Sequence, residues 1–289
     1  MATAPSHTDP LRPAWDDAVA EWRRRVRADR EQVERAGEVG TASDFYAAVA
    51  NVFRADPRRT DDPPLDLLRG LVVPGETWLD IGAGGGRLTL PLALLAKEVI
   101  AVEPSDGMVD VLEQGMEEHG IANVRILRER WPAELLPEAD VALIANVGND
   151  VEDIHPFVDA MEASAQRLCV IVNWYRSPRA VADSLWQEIY DEPRETLPAL
   201  PDFLGLLLAR GAIFEVRHSE RPAISFGSAD EAQAFLRRQL WLQEGSERDQ
   251  LLGRLLAERL TERDGRVAVS WEPVTIGIVT WKPAGRAGA

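Results

Sequence analysis

The segment 77–87, TWLDIGAGGGR, restricts the possible folds more than any other part of this sequence. An apolar run with the composition of a buried strand ends at Ile81, and a glycine cluster leads from it into a helical stretch. Glycine allows positive φ and lets a ligand lie against bare main chain. The start of the helix offers unpaired N–H groups and a partial positive charge, which suit a carboxylate or a phosphate. The segment therefore predicts a ligand-binding strand–turn–helix unit.

Short apolar runs alternate with helical stretches after this point, which is typical of buried parallel strands with helices on both faces. Strands are predicted at 77–81, 99–103, 124–127, 141–146 and 168–173, and the helices between them at 86–96, 105–118 and 156–165. Right-handed crossovers make a doubly wound α/β sheet the default arrangement.

The rest of the chain is predicted to surround this core. Apolar residues spaced by three, four or seven positions indicate a first helix from Trp15, and a second is expected near 44–54. Asp62 is predicted to cap a third helix that begins at Pro63. After residue 176 the pattern loosens into helices at 180–190, 203–210, 229–242 and 247–263, with strands at 213–218 and 274–281.

We therefore divide the chain into consecutive parts. These are a frayed tail (1–13), an N-terminal helical cap (14–72), a core that binds the ligand (73–176), a helical elaboration that covers the substrate and holds the last two strands (177–283), and a tail (284–289).

The charge balance narrows the choice of partner. Lysine and arginine number 32 and aspartate and glutamate 48, which gives a formal net charge of −16 and disfavours nucleic acid and anionic membranes as partners.

The only cysteine, Cys169, cannot form an internal disulfide or a thiolate metal site. No run approaches the roughly 20 apolar residues that span a bilayer, and residues 1–13 hold no apolar signal core. A cytoplasmic protein is expected.

The spacing of the glycines narrows the choice of nucleotide. The dinucleotide pattern G-x-G-x-x-G/A needs a small residue where this chain has Arg87, and no G-K-[S/T] follows for a phosphate-binding loop. The sequence instead reads D-x-G-x-G-x-G from Asp80 to Gly86. Glu103 ends the second strand about 20 residues after the turn, where an acid accepts both ribose hydroxyls.

These features resemble the core of class I S-adenosylmethionine-dependent methyltransferases over about a third of the chain. The resemblance implies a Rossmann-like, seven-stranded, mostly parallel sheet with an antiparallel last strand, and S-adenosylmethionine as the cofactor. The glycine turn would hold its methionine part and Glu103 its ribose. The residues that the resemblance places around the cofactor are Asp80, Gly82, Ala83, Gly84, Gly86, Arg87, Glu103, Pro104, Ser105, Met108, Arg130, Trp131, Asn146 and Val147. Among these, Arg130 and Trp131 occupy a position where many family members carry an acid facing adenine. Trp131 is open to two interpretations, stacking on adenine or core packing.

Methyl transfer from a sulfonium is an in-line displacement, so the protein needs a base only when the acceptor begins protonated. His155 is a candidate base or substrate contact and alternatively an N-cap of the helix at 156–165. Asp150 and Tyr46 are further catalytic candidates. No metal is expected, because the fifth strand ends at Asn173 with no acid beside it.

The sequence thus predicts a metal-independent methyltransferase with a small-molecule acceptor and neither nucleic acid nor membrane as partner. A homodimer contact is expected on the amphipathic first helix. Two alternatives stay open: a catalytically silent S-adenosylmethionine-binding protein of the same fold, and a nicotinamide-dependent oxidoreductase.

Overall fold

A computed structural model describes residues 11–40, 54–177 and 179–283. The predicted tails at 1–10 and 284–289 and nearly all of the predicted helix at 44–54, which includes Tyr46, lie outside the described residues.

The described chain contains helices and strands in an order close to the predicted one. The helices are α1 (Arg12–Ala36), α2 (Pro63–Arg69), α3 (Thr89–Ala93), α4 (Asp106–His119), α5 (Ile154–Ser164), α6 (Ala180–Tyr190), α7 (Leu200–Ala209), α8 (Ala229–Gln239) and α9 (Glu247–Arg259). The strands are β1 (Thr77–Ile81), β2 (Glu98–Val102), β3 (Val124–Leu127), β4 (Ala139–Ala145), β5 (Ala165–Trp174), β6 (Phe214–Arg221), β7 (Thr261–Arg263), β8 (Arg266–Ala268) and β9 (Val274–Trp281).

Seven of the strands form one sheet in the order β3-β2-β1-β4-β5-β9-β6. The pairs from β3 to β5 are parallel, and β9 runs antiparallel to both β5 and β6. The predicted α/β sheet, mostly parallel with an antiparallel last strand, is confirmed. Because β6 and β5 are both antiparallel to β9, the carboxyl ends of β1, β2, β4, β5 and β6 meet at one edge. Ligands of doubly wound sheets bind at that edge.

The two faces of the sheet are covered by different helices. Leu79 and Ile81 of β1 pack into a cluster with residues of α1, α5 and α7. Trp78, which points to the other face, packs into a second cluster with residues of α2 and α3. This alternation follows from the two-residue period of a strand. Because apolar side chains are buried on both faces of β1, the strand is held in place, and with it the start of the glycine turn.

The apolar stripe of α1 is buried within this chain. Trp15, Trp22 and Val26 belong to the cluster on one face of the sheet, and Val33 packs with residues of α6, α8 and α9. The apolar side of α1 is therefore not available for the homodimer contact that was expected on this helix.

Several predicted boundaries were wrong, among them those of three helices. Helix α5 begins at Ile154, two residues before Pro156, and Asp153 occupies its N-cap position. The helix predicted at 86–96 is reduced to the five residues of α3, because the turn continues through Leu88. The helix predicted at 247–263 ends at Arg259 and is followed by the β7–β8 hairpin.

In the described residues, no helix is long and apolar enough to cross a membrane.

Candidate cofactor site

The glycine turn after β1 is held against the end of β2 by main-chain hydrogen bonds. The N–H groups of Gly82 and Ala83 both donate to the carbonyl of Val102, over 2.8 and 3.1 Å. Gly82 has φ = +74°, and a Cβ there would lie 2.6 Å from Cγ2 of Val147 in the loop after β4. Only glycine fits at this close approach. The turn, the end of β2 and the loop after β4 therefore form one packed unit.

Gly84 differs from Gly82 because the space in front of it is open. It also has positive φ, +55°, but a Cβ there would meet no described atom nearer than Sδ of Met108, at 3.9 Å. Bare main chain thus faces a space that side chains from the described residues leave free. Such a cradle is the feature that a ligand lying against the turn requires.

Glu103 closes this space from the side of β2. The residue is buried, with 7% of its surface exposed. Its Oε2 accepts a hydrogen bond from the Gly84 N–H over 2.8 Å, and its Oε1 accepts one from the Ser105 N–H over 2.9 Å. A carboxylate offers about four lone-pair positions, so both oxygens keep capacity for further donors. The carboxylate turns toward the glycine turn and away from bulk water.

Asp80 lies beneath the turn and braces it. The residue is 2% exposed, and its Oδ2 accepts a hydrogen bond from the Thr89 hydroxyl over 2.6 Å. The pKa of Asp80 is raised to about 6, chiefly by burial; the Thr89 hydrogen bond opposes this rise and the nearby Glu103 carboxylate adds to it. Thr89 was not identified from the sequence, although a hydroxyl at the start of the helix after the turn is a usable signal.

The raised pKa gives a prediction about stability. An aspartate ionises near pH 3.9 in an unfolded chain, so between that pH and about 6 the folded protein binds more protons and loses stability as pH rises. We expect the unfolding free energy of the wild type, minus that of Asp80→Asn, to fall by about 2 kcal/mol from pH 4 to pH 7.5. Urea unfolding of both proteins at the two pH values measures this difference. A difference in unfolding free energy that stays constant with pH contradicts the raised pKa of Asp80.

The residues expected near adenine follow β2 and β3. Ser105 is the N-cap of α4 and its hydroxyl accepts from the Met108 N–H over 3.3 Å. Met108 is buried, whereas Pro104 and Arg130 are exposed. The Trp131 ring is half-buried against the core and its Nε1–H donates to the Phe157 carbonyl over 3.0 Å. This ring is therefore fixed at one edge, which is compatible with either interpretation of Trp131.

The loop after β4 reaches the same edge of the sheet. Asn146 has φ = +57°, and its N–H donates to the carbonyl of Val172 at the end of β5 over 2.8 Å. A non-glycine residue in this region is strained, and such strain concentrates at functional sites. Next to it, Val147 packs against Gly82 as described above. The structure thus brings Asn146 and Val147 together with the glycine turn.

A small pocket lies beside this loop, between the sheet and the helices on one face. Its lining includes Gly148 and Asn149 after β4, Asn173 of β5, Trp22 of α1 and Phe203 of α7. The Asn149 side-chain amide donates to the Pro198 carbonyl over 2.7 Å and so ties the loop to the segment before α7. Neither Trp22 nor Phe203 was predicted as a site residue, because contacts between distant helices have no local signal in the sequence.

Of the catalytic candidates, His155 lies inside the first turn of α5 and is therefore not its N-cap. Its ring meets Trp15 edge to face at 6.4 Å. Its Nδ1 is buried and has no hydrogen-bond partner among the described residues. Asp150 is exposed, and Tyr46 lies outside the described residues. The described residues include no group of three or more metal-ligating side chains.

Comparison with known proteins identifies a methyltransferase domain in this chain. Residues 79–168 match the sequence model of a methyltransferase domain. The probable ribosomal RNA small subunit methyltransferase A of Methanosphaera stadtmanae is 39% identical over 71 residues, which are 24% of this chain and 26% of that protein. The matched segments span a quarter to about half of the length of the first curated relatives.

Two solved structures share the fold. The YcgJ protein of Bacillus subtilis superposes with a TM-score of 0.55 at 17% identity, over 76% of this chain and 98% of that one. Coclaurine N-methyltransferase, bound to N-methylheliamine and S-adenosylhomocysteine, gives a TM-score of 0.50 at 13% identity, over 94% and 93% of the two chains.

Proposed function

Because this chain carries a class I S-adenosylmethionine-dependent methyltransferase domain, we propose that it transfers a methyl group from S-adenosylmethionine to a small-molecule acceptor without a metal. One observation carries the proposal. The buried Glu103 carboxylate, held by the Gly84 and Ser105 N–H groups, borders the open space in front of Gly84.

The residues around this space have the chemistry that the cofactor requires. The main chain at Gly84 would accept the amino-acid tail, and Glu103 would accept the two ribose hydroxyls. Ser105, Met108 and Trp131 would border the adenine. When bound, the cofactor supplies an activated methyl group on a sulfonium. Asp80 and Thr89, which are hydrogen-bonded to each other beneath the turn, would support the conformation that leaves the space open.

What the protein contributes to the reaction is alignment and exclusion of water. An in-line displacement needs the acceptor held close to the methyl carbon on the side opposite the sulfur. Asn146 and Val147, at the carboxyl end of β4, would lie beneath that carbon. The acceptor would bind next to them, at the edge of the sheet where ligands of doubly wound folds bind. The net charge of −16 favours a small molecule over a polynucleotide as the acceptor.

The two alternatives make different predictions about ligands. A nicotinamide-dependent oxidoreductase would bind NAD. A silent protein of the same fold would bind S-adenosylhomocysteine but would not transfer a methyl group, since binding residues do not by themselves establish turnover.

We expect S-adenosylhomocysteine at 100 times its Kd to raise the Tm by about 5 °C, because ligand binding to the folded state alone stabilises it by about 2.7 kcal/mol. NAD at the same concentration should leave the Tm unchanged. Stabilisation by NAD and not by S-adenosylhomocysteine would overturn the proposal. Transfer of radiolabelled methyl groups from S-adenosylmethionine to a small-molecule extract then separates an active enzyme from a silent one.

A further inference from the structure

Three arginines surround one buried aspartate next to the glycine turn. We call Arg59, Arg87, Arg221 and Asp62 the arginine cluster. Oδ2 of Asp62 lies 3.0 Å from Nε of Arg59, 2.7 Å from Nη2 of Arg87 and 3.3 Å from Nη2 of Arg221. The same Nη2 of Arg221 lies 3.2 Å from Oδ1. Asp62 directly precedes α2, where an N-cap was predicted, but its side chain makes no capping hydrogen bond. Its carboxylate accepts hydrogen bonds from the three arginines instead.

The arginine cluster lies at the edge of the sheet where the strands of the cofactor site end. Arg87 directly follows Gly86 of the glycine turn, and Arg221 is the last residue of β6. β1 and β6 are four positions apart in the sheet, or about 19 Å at the usual strand spacing. Both arginines nevertheless reach the one Asp62 carboxylate, which directly precedes α2. The arginine cluster therefore lies at the edge of the sheet where ligands of doubly wound folds bind.

The charges within the arginine cluster do not balance. Three guanidinium groups face a single carboxylate, and among the described residues Asp62 is the only acid within hydrogen-bond distance of Arg87 or Arg221. Arg59 also donates to the main-chain carbonyls of Asp56 and Arg87. Arg87 and Arg221 donate only from Nη2 within the described part of the chain. The buried Nε of Arg221 has no partner there.

An unpaired donor on a buried guanidinium is costly. The side chains are 13%, 31% and 19% exposed for Arg59, Arg87 and Arg221, and 6% for Asp62. Burial and the neighbouring Arg221 charge lower the pKa of Arg87 to about 10, and burial lowers the pKa of Arg221. For both arginines, the Asp62 carboxylate offsets the effect of burial on the pKa only in part.

Another buried ionic network in this protein shows the contrast. Arg179 and Arg194 face Asp29 and Asp183, two cations against two anions, and Arg194 also stacks on a tryptophan ring. At the opposite edge of the sheet, Arg167 faces Glu76 one to one. These balanced networks need no ligand. The arginine cluster has an excess of two positive charges in a protein with a net charge of −16.

We propose that Arg59, Arg87 and Arg221 bind an oxyanion, a carboxylate or a phosphate, carried by the methyl acceptor. Guanidinium groups recognise such groups with paired N–H donors, and the free donors of Arg87 and Arg221 supply them. Assigning the anion to the acceptor rests on the proposed function. The binding of an oxyanion to the arginine cluster is independent of the proposed function.

The first test uses inorganic phosphate as the probe, at constant ionic strength. We expect phosphate to raise the Tm of the wild-type protein, and Arg221→Gln to weaken this binding at least tenfold. Asp62→Asn should bind phosphate more tightly than the wild type, since it removes the competing carboxylate. The matched control is Arg167→Gln, which breaks a guanidinium–carboxylate pair at the far edge and should respond to phosphate as the wild type does. Equal responses of Arg221→Gln and Arg167→Gln, or no response of the wild type, overturn the proposal.

The second test concerns the source of the anion. Small molecules extracted from cells are separated by anion exchange into anionic and neutral fractions, and each is incubated with protein and radiolabelled S-adenosylmethionine. Label is expected in the anionic fraction, and label only in the neutral fraction contradicts the assignment to the acceptor. S-adenosylhomocysteine binding is measured in parallel. Phosphate binding without S-adenosylhomocysteine binding would retain the anion site and reject the methyltransferase, and the reverse would reject the anion site alone.

Discussion

Replacing Gly84 with valine is expected to reduce the affinity for S-adenosylhomocysteine at least about 100-fold, equivalent to about 2.7 kcal/mol. The space in front of Gly84 is free of described side chains, and a valine there would fill it. The branched side chain would also occupy the volume from which the amino-acid tail contacts the main chain. Isothermal titration calorimetry measures the change directly.

A matched variant separates lost binding from lost folding. Gly120, at the end of α4, also has positive φ, +64°, and a Cβ there would meet nothing within 4 Å. Gly120→Val therefore carries a similar backbone penalty of about 1–2 kcal/mol and should bind S-adenosylhomocysteine normally. If Gly84→Val kept wild-type affinity, the glycine turn would not be part of the cofactor site.

Replacing Glu103 with alanine is expected to weaken S-adenosylhomocysteine binding by about 1–3 kcal/mol, roughly 5- to 150-fold. Two effects add. The ribose hydroxyls lose a charged acceptor, and the Gly84 N–H loses the partner that holds it at 2.8 Å. The second effect loosens the turn itself, so the tail and the ribose are both affected.

The control for this variant lies on the same strand. Glu98, at the opposite end of β2, pairs with the exposed Arg125, and Glu98→Ala should leave binding unchanged. Calorimetry on both variants, with their Tm values, distinguishes the two residues. Full affinity in Glu103→Ala would show that the ribose binds elsewhere.

Much of the sheet was predictable because its strands are short apolar runs with clear ends. β1, β3 and β9 have the predicted bounds. The position of Glu103 was also predictable, since an acid at the end of the second strand lies beside the turn that follows the first. Local sequence determines both features.

The β7–β8 hairpin was missed although its turn carries a usable signal. Asp264 and Gly265 have φ of +51° and +72°, the conformation that Asp-Gly favours in a two-residue hairpin turn. The helical spacing before it, at the end of α9, suggested instead that the helix continues. Short exposed strands contribute little apolar pattern, so turn residues must be given more weight there.

The arginine cluster could not have been predicted from local sequence. Asp62 and Arg221 are separated by 159 positions in the sequence. Only the order of the strands in the sheet brings β6 into contact with α2. The sequence placed Asp62 correctly at the start of a helix but assigned its carboxylate to capping. Three guanidiniums outweigh a cap because each provides a charged hydrogen bond.

The most direct test of the cofactor site is a crystal structure of the protein with S-adenosylhomocysteine. We expect the two ribose hydroxyls to lie within hydrogen-bond distance of the Glu103 carboxylate and the amino-acid tail to cross the main chain of Gly84. A ligand bound elsewhere, with a side chain filling the space in front of Gly84, would contradict this expectation.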